Sequence, residues 1–137
     1  MIKASELKLI FLSANQDWEI RLSKWEHCTE EELKKRKYPL PNRTSVRIID
    51  TSSKLDDVTG NRIISYYLED CDEEFCKKRD DMISFFCGGL DDNDILNFYL
   101  YTEDTPGHYD YLPLTISRGD KGYSDRRMLV ELDEETI

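Results

Sequence analysis

The chain has 137 residues, 39% of them apolar and 35% charged, with a formal net charge of −10. That length is one domain's worth, enough to bury roughly two-thirds of the unfolded chain's surface around one core. The negative charge argues against direct nucleic-acid binding, which depends on Lys and Arg neutralising phosphates, and against adhesion to anionic membranes.

Residues 5–13 fit two patterns. Leu7, Leu9 and Phe11 alternate as in a strand, whereas Ser5 could cap a helix carrying Leu7, Ile10 and Phe11; the alternation is favoured here. Residues 17–25 set Trp18, Ile20 and Leu22 against Glu19, Arg21 and Ser23, a half-buried strand. Thr29 followed by Glu30, Glu31 and Glu32 reads as a capping box opening a short helix that Pro39 and Pro41 stop. A strand over 45–50 and one over 62–69 flank the Thr-Gly-Asn turn signal near residue 60. Asp72 is expected to cap a second helix through Cys87, with Phe75, Met82, Phe85 and Phe86 on its apolar stripe and Gly88-Gly89 at its end. Strands over 94–102, 107–116 and 127–132 complete the chain, and 133–137 is expected to be a frayed tail beyond a single domain spanning 1–132.

Residues 26–36 and 69–79 match without a gap at seven of eleven positions, each with Cys just before the expected helix start. With the strands around them the order is β-α-β-β-α-β. The expected fold is therefore α+β, a mostly antiparallel sheet with two helices, in a ferredoxin-like arrangement with a C-terminal hairpin extension. That arrangement sets the first and third strands side by side and brings His27-Cys28 near Asp70-Cys71. Glu-rich helix starts and Lys-rich later turns also arise independently, because each complements the helix dipole.

Catalytic motifs are sparse. The chain has two histidines, His27 and His108, and four cysteines, Cys28, Cys71, Cys76 and Cys87. Four thiols are too few for a disulfide scaffold and read as reduced, and Met1-Ile-Lys-Ala-Ser lacks a secretory pattern, so a cytoplasmic location is expected. His108 lies in Gly-His-Tyr-Asp-Tyr, which over about four residues resembles the general-base segment of OTU-type cysteine proteases. The Asp-Gly-x-x-Cys nucleophile motif of that family is absent. No Walker or Gly-x-Gly-x-x-Gly loop occurs. No cofactor, metal or catalytic residue is expected, and an enzyme is the less favoured class.

The charge is unevenly placed. Residues 1–60 carry eleven Lys/Arg and ten Asp/Glu, a net +1; residues 61–137 carry eight and nineteen, a net −11. Part of that excess, Asp91, Asp92, Asp94, Glu103 and Asp104, flanks a tyrosine-rich hairpin. There Leu96, Phe98 and Leu100 alternate with Tyr99 and Tyr101, and Tyr109, Asp110 and Tyr111 follow on the partner strand. Rigid rings supply contact area at low entropic cost, and carboxylates pair with Arg and Lys of a partner. These ten residues are the expected partner-binding set. The expected function is a non-catalytic acidic inhibitor or regulator of a basic protein surface, such as the nucleic-acid groove of a nuclease or effector. In class, size and charge it resembles the small acidic proteins that block nucleases or nucleic-acid-binding machines, phage anti-restriction and anti-CRISPR inhibitors or toxin-immunity proteins, and a nucleic-acid mimic is expected. The alternative is a small enzyme or metal- or ligand-binding domain using Cys28, Cys71 and His27 or His108. Oligomeric state is left open, with a homodimer among the options.

Overall fold

The computed structural model describes residues 1–25, 31, 43–118 and 127–134. In chain order these form β1 (Ile2–Lys3), α1 (Ala4–Leu12), β2 (Glu19–Trp25), β3 (Arg43–Leu55), β4 (Arg62–Asp70), β5 (Phe75–Lys78), α2 (Arg79–Cys87), β6 (Ile95–Thr105), β7 (His108–Arg118) and β8 (Arg127–Glu134). The fold is α+β, with two helices on a mostly antiparallel, curled mixed sheet.

Six strands pair in the sequence β6-β4-β3-β2-β8-β7, and a further β6–β7 pairing closes them into a ring. Within it β4–β6 and β2–β8 are parallel and the rest antiparallel. Closure leaves the ring itself without an open edge, the usual hazard of a curled sheet. One residue in two points inward. Ile20, Leu22, Val46, Tyr66, Leu68, Leu96, Phe98, Leu100, Leu114, Met128, Val130 and Leu132 fill the interior with their alternate neighbours outside.

The order β-α-β-β-β occurs twice, as β1-α1-β2-β3-β4 and as β5-α2-β6-β7-β8. The two copies exchange their first strands. Ile2 lies opposite Leu96 and Lys3 opposite Ile95, just as Lys77 lies opposite Ile20 and Lys78 opposite Glu19. Leu7 and Phe11 of α1 correspond to Met82 and Phe86 of α2, all four fully buried. The Phe11 and Phe86 rings stack at 6.1 Å between centroids, joining the helices at one end of the ring. Phe86 also meets Tyr66 edge-on at 5.1 Å and Phe98 at 5.8 Å, so it plugs that end of the interior.

Three expectations are corrected. Residues 4–12 are helical, because Ala4, Leu7 and Phe11 share one buried stripe; alternation would have buried Leu9, which is 68% exposed. Ser5 is not the cap, since the helix starts at Ala4 after an extended Lys3. Residues 75–78, expected to be helical, form β5 instead. β3 pairs only with Ser23–Trp25 on its edge of β2, and β5 supplies partners for Glu19–Leu22 on that same edge. The helix then begins at Arg79 and ends before Gly88, with Gly89 at φ +75° where a left-handed turn leads to β6.

The strand neighbours also depart from a ferredoxin-like order, in which β2 and β4 would lie side by side. β3 separates them, antiparallel to both. β7 and β8 are not an appended hairpin, because β8 pairs in parallel with β2 and helps close the ring. The capping box at Thr29–Glu32, His27, Cys28 and the repeat's first copy lie outside the described residues, save Glu31. The second copy spans the end of β4, the turn and β5 rather than a helix start.

Candidate functional site

The tyrosines gather on the outside of the ring, across β4, β6 and β7. Parallel pairing puts Tyr67 opposite Tyr99, and the β6–β7 hairpin puts Tyr101 opposite Tyr111 and Glu103 opposite Tyr109. Residues directly opposite point to the same side of a sheet, so all five rings share one face. Their centroids form a continuous chain. Tyr99 stacks on Tyr67 at 5.5 Å, Tyr67 meets Tyr111 edge-on at 4.8 Å, Tyr111 meets Tyr101 at 5.6 Å, and Tyr101 stacks on Tyr109 at 5.2 Å. Offset-stacked and edge-on pairs at these separations suit the ring quadrupole. Tyr109 and Tyr111 are 54% and 47% exposed, and the other three are half-buried.

Carboxylates border the rings. Glu103 Oε1 accepts the Gly107 amide at 3.0 Å, folding the carboxylate over a turn where Gly107 adopts φ +85°. Asp50 lies opposite Tyr67, and the Tyr67 and Ser52 hydroxyls are 3.4 Å apart. On the adjoining stretch Arg47 donates from Nε to Glu69 at 2.6 Å, which also raises its pKa. The Tyr101 phenol is pushed above its ordinary value, chiefly by desolvation among its neighbours, then by the Tyr109 hydroxyl and by Glu103. Glu103 and Asp50 thus set carboxylates beside the rings.

The ten residues expected to bind a partner do not all meet. Tyr99, Tyr101, Glu103, Tyr109 and Tyr111 share the face. Asp104 is the extra residue of the bulge between Glu103 and Thr105. Asp110 alternates to the other side of β7, and its Oδ1 accepts the Tyr111 amide at 2.8 Å. Asp91 and Asp92 are exposed in the turn between α2 and β6, at the far end of β6. The eight residue steps from Ile95 to Glu103 span about 26 Å of extended chain, so those carboxylates belong to a different region. Asp94 is 2% exposed and structurally committed. Its Oδ1 accepts the Arg62 amide at 2.9 Å, its Oδ2 accepts the Asp91 amide at 2.8 Å, and the Arg62 guanidinium lies 3.7 Å away. The two amides, more than the guanidinium, lower its pKa.

Tyr67 was missed from sequence. Its strand was expected, but nothing local says that β4 runs parallel beside β6. The only available signal was parity, since Tyr66 and Tyr67 must point to opposite sides and Tyr66 is buried in the core.

The corresponding outer face of the other half, on β2 and β3, is different. Ser23 and Ser45 there are 0% and 7% exposed, and Arg21 bridges Ser45 at 2.6 Å and Glu74 at 2.7 Å. Of the two related faces, the tyrosine face is the open one.

Among the described residues, the thiols and His108 form no comparable site. Cys71 Sγ accepts the Glu73 amide at 3.4 Å, Cys76 Sγ donates to Glu19 at 3.5 Å, and burial raises the Cys87 thiol's pKa. His108 is exposed at the β6–β7 hairpin tip. Among the described residues no three His, Cys, Asp or Glu side chains gather as a metal set, and no helix is long and apolar enough to cross a membrane. Cavities of about 500 and 200 Å³ lie elsewhere, the first beside Gln16, Lys78 and Asp80 and the second between Lys8 and Cys87. No protein-family model, curated protein or solved structure matches the chain.

Proposed function

We propose that this chain is a non-catalytic regulator that docks a basic protein surface through the outer tyrosine face of β4, β6 and β7. The observation that carries this reading is the outward-facing five-ring chain, exposed at Tyr109 and Tyr111 and bordered by Glu103 and Asp50. Clustered tyrosines depart from an ordinary solvated surface and match the composition of protein interfaces, where rigid aromatic anchors carry most of the affinity. Net charge selects the partner's sign, since −10 steers the chain toward a cationic surface and away from nucleic acid itself. An inhibitor acting in the cytoplasm on the nucleic-acid groove of a nuclease or effector fits this chemistry, because such a groove already presents Arg and Lys.

The test is partner capture from the native host at low and high salt, comparing variants with the wild type. Glu103→Lys weakens the complex about tenfold, the Tyr109→Ala/Tyr111→Ala variant loses it, and Asp91→Lys/Asp92→Lys retains it. A partner held equally by the wild type and by Glu103→Lys rejects the proposal.

A further inference from the structure

The character of the tyrosine face bears on the side chains that can dock there. Consecutive rings already pack against one another at 4.8 to 5.6 Å, which closes the gaps between them. The cavities of about 500 and 200 Å³ are lined by residues of the α1 and α2 region, away from this face. Rings packed on one another in this way present ring surfaces and hydroxyls to a docking group. Anionic groups border the chain of rings, with Asp50 opposite Tyr67, its second ring, and Glu103 opposite Tyr109 at one end. A neighbouring cation, Arg47, is already engaged by Glu69.

We infer that the partner side chains this face accommodates are arginines, stacked flat on the tyrosines with their guanidinium forks directed at the bordering carboxylates. This rests on the docking role proposed above and specifies its partner. A guanidinium is planar, weakly hydrated and able to donate two parallel hydrogen bonds while its face lies on a ring. A lysine ammonium is a compact, strongly hydrated charge that matches the carboxylates and uses the rings poorly. Charge alone does not separate the two; the individual ring faces do.

Nona-arginine and nona-lysine, equal in length and charge, test this directly. Each is titrated into the full chain at low salt, with calorimetry for affinity and tyrosine ring NMR signals for location. Nona-arginine is expected to bind about tenfold more tightly and to shift the signals of Tyr101, Tyr109 and Tyr111. In Tyr109→Ala/Tyr111→Ala the preference falls below about twofold, and Tyr109→Ala alone, at the more exposed ring, serves if the double variant does not fold. Equal affinities that both fall in the tyrosine variant overturn the arginine inference and leave the docking role standing. Binding of both peptides that is indifferent to the tyrosine variant and to Glu103→Lys overturns both.

Discussion

Asp94 shows how one residue's chemistry redirects a sequence reading. In the run Asp91-Asp92-Asn93-Asp94 it looks like one more surface carboxylate, yet it joins the start of β4 to the turn before β6. Its folded-state pKa lies below that of the unfolded chain, near 3.9. The stability it contributes is therefore present above that value and is lost as pH falls through the folded pKa. Asp94→Asn sets an amide NH2 against one backbone N–H whichever way it is turned. The expected loss is about 1–3 kcal/mol at neutral pH, with a shallower decline of stability below pH 4 than in the wild type. Urea unfolding across that range measures both effects. Composition could place acid in this segment, but it could not separate Asp94 from Asp91 and Asp92, because that depends on a contact with a strand 32 residues earlier.

The elements read best where a repeating pattern spans the whole segment. The β6–β7 hairpin was legible because Leu96, Phe98 and Leu100 alternate cleanly with Tyr99 and Tyr101, and the inner set is buried as expected. α1 and β5 were misread for the same underlying reason. Short segments satisfy more than one period, and what decides between them lies outside the segment: Phe86 for α1, the edge of β2 for β5. The two helices hold the end of the ring closed through Phe11 and Phe86. Phe86→Ala is expected to cost about 3–5 kcal/mol and Phe11→Ala a similar amount, while the double variant costs less than the two together because the rings share one contact. Denaturant unfolding of all three variants gives the comparison, and full additivity would show that the helices are independent of each other.

Across the whole molecule, the ring closure and the twofold β-α-β-β-β order were invisible to sequence reading, since the matching positions in the two halves share burial more than identity: Leu7 with Met82, Ile20 with Leu96. The acidity of the second half was legible, but its distribution was not. The closed sheet sends Asp91 and Asp92 to the helical end and Glu103 to the tyrosine face. It leaves one of two related outer faces open, and that face carries five rings in contact. Photo-crosslinking tests this account most directly, with p-benzoylphenylalanine placed at Tyr109 on that face or at Leu9, 68% exposed on α1. The account predicts a crosslink from position 109 to a basic, arginine-rich protein segment, suppressed by high salt, and none to that protein from position 9. A partner crosslinked from position 9 and not from 109 would contradict it.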